Sequence, residues 1–315
     1  MTTSSGTSRI VLAVTEVSST VVVVTWRGAG HITACLDALA AQDRPHRTLV
    51  VDNASDDGTA RLLAEHPSKP QVVRLPRNAG YAGAMAAALS LVDTPLMAWL
   101  NDDAVPDPAW LGTLEDALGT AAAASARLDR PDGAPQSVGV RLTADGYGAD
   151  ALGEPVFGFC GGAALVRTGI LRAVGGVPAS FFCYYEDTDT AWRLRLAGHE
   201  ILAVPAARVT HRHGVSTQPG SPRFHRWNER NRLLMLLRCA PAAVAARELA
   251  RFAAITAALP LRRNPPRAGN FRLSLRARVL AEVLLRLPAT LRARRRIGRF
   301  ATIGRGQVWR NWTPR

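Results

Sequence analysis

Short apolar runs alternate with amphipathic segments over the first hundred residues. The run VVVVT at 21–25 predicts a buried strand, and residues 31–42 repeat apolar side chains at helical spacing. The alternation continues with strands predicted at 48–55, 71–75 and 95–103 and with helices predicted at 56–66 and 79–92. Strands that alternate with helices are typical of α/β proteins built on a parallel sheet.

Carboxylates follow two of these predicted strands. Asp52 ends one strand, and the pair Asp102 and Asp103 ends another. Ligands of α/β sheets bind beyond the carboxyl ends of the strands, so these side chains are candidates for a functional site. Paired carboxylates are costly to bury without a counter-charge, and a divalent cation would supply one. A solvated turn, with Pro106 and Pro108 starting a helix, remains an equal alternative from the residues alone.

Two later segments carry further candidate chemistry. Glu186, Asp187 and Asp189 crowd the start of a predicted helix, where acids favour the helix dipole and where one of them could serve as a general base. His211 and His213 are two residues apart and would share one side of a strand. Neutral imidazole can complete a metal site or contact phosphate, although most such pairs are not ligands.

The remainder of the chain is less regular and then helical. Residues 121–155 are rich in Gly, Pro, Asp and Ala and predict an irregular or antiparallel excursion, and 158–176 predicts a glycine pair followed by a strand and a helix. From 224 onward the pattern is helical and studded with arginine. We expect prolines to divide this region at Pro241, Pro260, Pro265, Pro266 and Pro288.

Composition places the chain among folded proteins. Apolar residues are 47% and charged residues 20% of 315, and no run of 18 apolar residues predicts a membrane span. The start of the chain lacks a basic region before its apolar stretch, so we interpret residues 1–18 as a flexible segment and not a signal peptide. The four cysteines are scattered, which predicts neither a zinc site nor a disulfide framework.

Charge is distributed unevenly. Residues 206–315 contain 24 basic and three acidic residues, whereas residues 1–205 contain 15 and 22. A cationic segment of this kind favours polyanions, including phosphates, nucleic acid or an anionic membrane. Because the arginines fall among Leu and Val stripes and are followed by Trp309 and Trp312, amphipathic helices on an anionic bilayer are one interpretation. Dimerisation and solvated arginine faces are the others.

From about residue 20 to 240 the chain resembles the family 2 glycosyltransferases of the GT-A fold, in particular their rhamnosyltransferase-like and galactofuranosyltransferase-like branch. The similarity runs in order through VVVVTWRGAGHITACLDALAAQ, VVDNASDDGT, RNAGYAGAMAAAL, LNDDA, FCGGAALVR, YYEDTDTAWRLRLAG and VTHRHGVS. The chain departs from the family pattern at Arg27, where Asn is frequent, at 177–182, where an acidic residue is usual, and at Asn101, the first position of the DxD-type motif.

The resemblance implies a GT-A domain over 19–240, a mixed Rossmann-like sheet flanked by helices, and a basic helical region over 241–315. It also implies site residues. Asp187 would be the catalytic base, and Asp103 with His211 would hold Mn²⁺ or Mg²⁺. The donor would contact Thr25, Asp52, Asn78, Gly80 and Asp102. The acceptor would approach Gly161, Gly162 and Glu186, and Trp192 and Arg193 would belong to the supporting helix.

The function that follows is an inverting, metal-dependent transfer of a sugar from a nucleotide-diphosphate donor. We hypothesise a deoxyhexose such as rhamnose from dTDP-rhamnose, a lipid-linked or polysaccharide acceptor in cell-wall or polysaccharide synthesis, and a cytoplasmic enzyme peripheral to the inner face of the membrane. A soluble enzyme that glycosylates a small molecule is the alternative, favoured if Phe181, Phe182 and Tyr184 close an acceptor cleft. A sugar-1-phosphate nucleotidyltransferase would need a richer phosphate loop than RGAG. A basic nucleic-acid-binding protein is the alternative of another class, although we expect no nucleic acid.

Overall fold

The computed structural model of the chain describes residues 17–212, 220–264, 266 and 268–314. Residues 1–16 of the predicted flexible segment lie outside the described residues, and so does His213, one half of the predicted histidine pair.

Strands and helices alternate through the first hundred described residues, as the apolar pattern predicts. The strands are β1 (Ser19–Thr25), β2 (His46–Asp52), β3 (Gln71–Arg74), β4 (Leu96–Asn101), β5 (Ala104–Pro106), β6 (Ala123–Asp129), β7 (Pro135–Ser137), β8 (Gly139–Leu142), β9 (Gly148–Ala151), β10 (Ala163–Arg167) and β11 (Ile201–His211). The helices are α1 (Ile32–Ala40), α2 (Thr59–Glu65), α3 (Gly80–Leu89), α4 (Trp110–Leu118), α5 (Thr168–Ala173), α6 (Glu186–Leu196), α7 (Pro222–Cys239), α8 (Ala242–Ala258), α9 (Leu273–Phe300) and α10 (Arg305–Trp312).

One mixed sheet organises the described residues. Nine strands form it, in the order β3-β2-β1-β4-β10-β6-β11-β5 with β7 beside β6, and β8 and β9 form a separate hairpin. Strands β3, β2, β1 and β4 are parallel, whereas β10 runs antiparallel to both β4 and β6. The predicted fold class, a mixed Rossmann-like sheet flanked by helices and followed by a helical C-terminal region, is confirmed.

Apolar layers cover both faces of the sheet, and the side chains of β1 point alternately into the two layers. Val22 and Val24 face the layer that contains α3, whereas Val21 and Val23 face the layer that contains α1 and α4. A strand buried on both sides must be apolar throughout, which explains the unbroken valine run. Each fully buried valine stabilises the fold by roughly 1.5–3 kcal/mol.

The C-terminal helices share the first of these layers. Met235 of α7, Val279 and Ile297 of α9, and Val308 of α10 belong to the same apolar cluster as Val22 of the central strand. The helices therefore extend the apolar layer on this side of the sheet, where α7, α9 and α10 contact α6. The domain boundary that we predict at residue 240 stays a prediction.

One sequence-based expectation about this region is wrong. Pro288 does not divide the helices, since it lies inside the 28-residue α9. Its ring removes the hydrogen bond to the carbonyl of Leu284, but both residues are exposed, so water can satisfy that oxygen. Trp309 and Trp312 are half-buried, with Trp309 stacked on Trp192 at 6.0 Å and Trp312 under the guanidinium of Arg195 at 4.2 Å.

Candidate active site

The ends of the central strands form one edge of the sheet. Thr25 is paired in register with Asp52, and Val24 is paired with Asn101, the last residue of β4. The chain then turns through Asp102 and Asp103 before it enters β5. The polar residues predicted at the strand ends therefore lie along one edge.

Strand pairing brings Asp103 to His211. Ala104 of β5 lies opposite His211 of β11, and the backbone N–H of Arg212 donates to the carbonyl of Asp103 at 3.1 Å. The Nε2 of His211 is 3.1 Å from the Oδ1 of Asp103. It is also 3.1 Å from the Nδ2 of Asn101, and its Nδ1 is 3.1 Å from Oε1 of Gln136. Two residues predicted to share a metal ion are therefore neighbours.

Electrostatics favour a charged Asp103. Burial alone would raise the pKa of its carboxyl, but the imidazoles of His211 and His31 outweigh burial and hold the pKa below its ordinary value. The carboxylate is therefore available as an anion across the neutral pH range.

His31 is a site residue that the sequence analysis missed. Its Nε2 lies 3.1 Å from Oδ2 of Asp102, and this carboxylate raises the pKa of the imidazole. Among the described residues, the hydroxyl of Thr25 is buried with no hydrogen-bond partner. Buried polar atoms without partners are costly, and a bound ligand would satisfy them. Thr25 and Asp102 were both predicted to contact the donor.

Hydrogen bonds and an ion pair between protein residues hold the part of the predicted site that would contact the nucleotide. Asp52 forms an ion pair with Arg74, and its Oδ1 accepts the N–H of Ser55 at 2.9 Å. Asn53 donates to the side-chain oxygen of Asn78 at 3.1 Å. Arg74 and Asn53 were not predicted, although Asn53 directly follows the end of β2.

Gly80 has a packing role that its sequence position alone does not reveal. Its φ is +75°, and a Cβ at this position would approach the carbonyl oxygen of Phe182 to 2.2 Å. The first turn of α3 also donates the N–H of Ala82 to that oxygen at 3.0 Å. The glycine therefore lets the loop before α6 sit on the start of α3.

Asp187 is the second residue of α6, and hydrogen bonds from neighbouring residues anchor its carboxylate. Its Oδ2 accepts the N–H of Gly161 at 3.0 Å, and its Oδ1 accepts the hydroxyl of Thr188 at 3.0 Å. Burial raises the pKa of this carboxyl and exceeds the opposing effect of these donors. Asp187 is thus a more basic carboxylate than an ordinary aspartate.

Its neighbour Glu186 is a different kind of group. Burial, followed by repulsion from Asp187, raises the pKa of Glu186 to about 8. Its Oε2 is buried and has no hydrogen-bond partner among the described residues. At neutral pH the side chain is mostly protonated, so it can donate a proton in a hydrogen bond but is a poor base.

The glycine pair, Gly161 and Gly162, contacts both acidic segments, the start of α6 and the end of β4. Gly161 contacts Asp187, and the carbonyl of Gly162 accepts the N–H of Asn101 at 3.0 Å. The hydroxyl of Tyr81 donates to the carbonyl of Gly161 at 2.8 Å. The predicted base and the end of β4 therefore flank one short segment.

The residues present fit a cation that the substrate helps to bind. Among the described residues, no group of three or more His, Cys, Asp and Glu side chains is placed to hold an ion. Asp103 and His211 offer two ligands, and Mg²⁺ and Mn²⁺ commonly take one or two protein carboxylates together with substrate phosphates.

The aromatic residues considered for a small-molecule cleft are partly engaged elsewhere. Phe181 is buried, with the guanidinium of Arg238 above its ring at 5.5 Å, so it does not line an open cleft. Phe182 packs on Trp227 at 4.8 Å, and Tyr184 meets Phe224 edge to face at 5.1 Å.

Comparison with known proteins gives consistent matches. The sequence model of glycosyl transferase family 2 matches residues 20–175. An N-acetylglucosaminyl-diphospho-decaprenol L-rhamnosyltransferase of Mycobacterium tuberculosis is 29% identical over 237 residues, which cover 62% of this chain and 76% of that protein.

Solved structures share the fold. The mannosyltransferase PcManGT of Pyrobaculum calidifontis, in complex with GDP-Man and Mn²⁺, superposes with a TM-score of 0.51 and 21% identity, over 85% of this chain and 86% of that one. TarS residues 1–349 of S. aureus, in complex with UDP-GlcNAc, superposes with a TM-score of 0.53 and 21% identity, over 95% and 93%.

Proposed function

The chain belongs to glycosyl transferase family 2 and is a nucleotide-sugar-dependent glycosyltransferase, and from that premise we propose which reaction it catalyses. It transfers a deoxyhexose, with inversion, to a hydroxyl of a lipid-linked saccharide in cell-wall or polysaccharide synthesis. The observation that carries this proposal is the shared edge on which Asp103 and His211 lie near the segment contacted by Asp187.

The donor and acceptor are proposed from the similarity to the mycobacterial enzyme. That protein is named as an L-rhamnosyltransferase acting on N-acetylglucosaminyl-diphospho-decaprenol. We extend its chemistry to this chain, with rhamnose from dTDP-rhamnose as the donor and a polyprenyl-diphosphate saccharide as the acceptor.

Each side chain then has a chemical task. Asp187 accepts the proton of the acceptor hydroxyl, for which its raised pKa is suited. Asp103 and His211 would hold a divalent cation, and the chemistry that such an ion would supply is Lewis-acid stabilisation of the negative charge on the departing diphosphate. Thr25, whose buried hydroxyl lacks a partner among the described residues, and Asp102, which lies beside His31, contact the donor. Because a single base acts without a covalent intermediate, the sugar is inverted.

The surface of the C-terminal third supports a peripheral association with an anionic membrane. Its three acidic residues, Glu229, Glu248 and Glu282, are buried and paired with arginines. The outer face of α9 exposes Leu284, Leu285 and Leu291. Four exposed arginines follow them without an ion pair among the described residues, namely Arg292, Arg295, Arg296 and Arg299.

Exposed leucines beside unpaired arginines match the requirements of an anionic bilayer surface. Among the described residues, no helix is long and apolar enough to cross a bilayer. We therefore propose that the enzyme lies on the cytoplasmic face of the membrane, where a lipid-linked acceptor is anchored.

Binding and transfer measurements test the reaction. We expect dTDP-rhamnose with Mn²⁺ to raise the melting temperature, and we expect this shift to be lost on chelation and in Asp103→Ala. Asp187→Asn should keep the shift but lower transfer to a polyprenyl-diphosphate N-acetylglucosamine by about 100-fold or more. Loss of donor binding in Asp187→Asn would remove it from the role of base. A shift with other nucleotides alone would overturn the donor assignment.

A further inference from the structure

The segment before α6 has an unusual backbone. Phe182, Tyr184 and Tyr185 all have positive φ, at 69°, 72° and 68°. Each such residue costs about 1–2 kcal/mol, because the Cβ crowds the following carbonyl. Strained conformations persist only where surrounding contacts enforce them. This segment leads directly into Glu186 and Asp187, so its shape sets the start of α6 and the position of the predicted base.

Helix α7 supplies contacts that hold the segment. The side-chain nitrogen of Asn231 lies 2.9 Å from the carbonyl oxygen of Phe181, 2.8 Å from that of Cys183 and 2.8 Å from that of Tyr184. The side chain of Asn231 is fully buried. An amide has two protons to donate, so the three carbonyls share them. A single side chain therefore gathers carbonyls from both sides of the first left-handed residue, Phe182.

Arg230 adds a second contact and extends it to α9. Its Nη2 donates to the carbonyl of Phe181 at 2.6 Å, and its Nη1 is 3.1 Å from Oε2 of Glu282. Arg230 is also buried, with 3% of its surface exposed. Hydrogen bonds from a charged donor are about twice as strong as neutral ones, so this arginine is a firm attachment.

A backbone hydrogen bond to α3 also holds the segment and does not depend on α7. The carbonyl of Phe182, which Asn231 does not contact, accepts the N–H of Ala82 at the start of α3. Loss of the α7 contacts would therefore free the Cys183–Tyr185 side while the α3 side stays attached. The predicted donor contacts at Thr25 and Asp102 lie on other elements.

We infer that Asn231 and Arg230 are positioning residues, which fix the strained segment so that Asp187 faces the acceptor hydroxyl. This inference rests on the proposed function, since it takes Asp187 as the base. Helices α7 and α9 then contribute to the reaction as well as to the packing of the core, because they hold the start of α6 in place. Misplacement of a reacting group by about 1 Å can lower a rate by 10²-fold.

Steady-state kinetics of the full chain test the inference. In Asn231→Ala and Arg230→Lys we expect kcat for transfer to fall about 10- to 100-fold, while the donor KM stays within twofold of wild type. Arg230→Lys keeps the charge next to Glu282 and is the variant expected to fold if Asn231→Ala does not. Arg294→Ala is the matched control, because Arg294 also ties α9 to backbone carbonyls at the end of α7, those of Leu237 and of Ala240 just after the helix, away from the segment.

The pH profile separates positioning from general destabilisation. Glu186 and Asp150 surround Asp187 with further carboxylates, and Cys160 and Tyr81 are also near it. A loosened segment would hydrate Asp187, and the acidic limb of kcat would then move to lower pH. Arg294→Ala should leave that limb in place even if its melting temperature falls.

Two results would overturn the inference. The first is wild-type kcat in Asn231→Ala or Arg230→Lys, and the second is an equal loss of kcat in Arg294→Ala with no change of the pH limb in any variant. Failure of the proposed function is distinguishable, because in that case Asp187→Asn would itself retain transfer. If Asp187→Asn loses transfer while the α7 variants keep it, the positioning role alone is wrong.

Discussion

Two adjacent carboxyl groups at the start of α6 have different hydrogen-bond partners. Asp187 accepts hydrogen bonds from Gly161 and Thr188, whereas Oε2 of Glu186 has no partner among the described residues. The pKa of Glu186 rises to about 8, mainly by burial. Neutral Glu186 limits the negative charge beside Asp187. A base and a hydrogen-bond donor can thus stand side by side.

Glu186 makes the stability of the fold depend on pH. Because its pKa is raised on folding, its contribution to stability is fully present below about 4.5 and is lost as pH rises toward 8. Each unit of the shift corresponds to about 1.4 kcal/mol. We therefore expect Glu186→Gln, which does not titrate, to gain melting temperature relative to wild type on going from pH 5 to pH 8.5.

Thermal unfolding at a series of pH values measures this effect. Asp132→Asn is a control, because the same kind of change is made to an exposed carboxylate in the turn between β6 and β7. A constant difference in melting temperature between wild type and Glu186→Gln across the series would show that Glu186 is already ionised in the folded protein.

Short antiparallel contacts position the site at the level of elements. Strand β5 has three residues, yet its pairing with β11 sets His211 opposite Ala104 and next to Asp103. Strand β10 positions the glycine pair, which directly precedes it, because the pairing of β10 with β4 places Ala163 opposite Leu100. The functional edge is therefore assembled by strands that are far apart in the chain.

The contact between α3 and the loop before α6 predicts a strong effect of a small change. Gly80→Ala would place a methyl group against the carbonyl of Phe182 and force alanine to adopt φ of +75°. The backbone strain alone costs about 1–2 kcal/mol. We expect a lower melting temperature and reduced transfer. Gly153→Ala is the matched control, because no atom lies within 4 Å of its added Cβ.

An equal melting temperature for the two alanine variants would mean that the loop moves away from α3 without cost. In that case Gly80 would have no structural role at the start of the helix.

Charge is distributed unevenly over the whole molecule, and folding increases the excess of positive charge on the surface of the C-terminal third. Glu229, Glu248 and Glu282 turn inward toward arginines, so the outer surface of the C-terminal third loses its acids. Exposed arginines and leucines then share the outer face of α9. This surface is the part of the molecule best suited to an anionic bilayer.

Vesicle flotation tests that assignment. We expect the protein to float with vesicles that contain phosphatidylglycerol and not with pure phosphatidylcholine. Leu285→Glu should weaken binding by about tenfold or more, since it removes apolar contact and adds repulsion. Leu152→Glu is the matched control, because Leu152 is 70% exposed against 79% for Leu285 and lies outside α9. Equal flotation of both variants, or no flotation of wild type, would contradict the proposal.

Local pattern was sufficient for the α/β alternation and for the polar strand ends at Asp52 and Asp102. A strand buried on both faces must be apolar, and its end must turn polar where it meets solvent or ligand. The order of the sequence motifs was sufficient to indicate the family. The local pattern led to a wrong prediction at Pro288, which lies inside α9. A helix tolerates proline where water can reach the carbonyl that loses its hydrogen bond, and the neighbouring residues do not show whether that carbonyl is exposed.

The order and types of the amino acids are sufficient to predict the fold class, the excess of positive charge near the end of the chain and the residue types of the candidate site. Folding brings particular residues together: Asp103 with His211, His31 with Asp102, and Asn231 with the strained loop. These pairs are separated by tens of residues, and their contacts depend on strand register and helix packing. Burial also depends on the fold, and it raises the pKa of Glu186 more than the adjacent charge of Asp187 does.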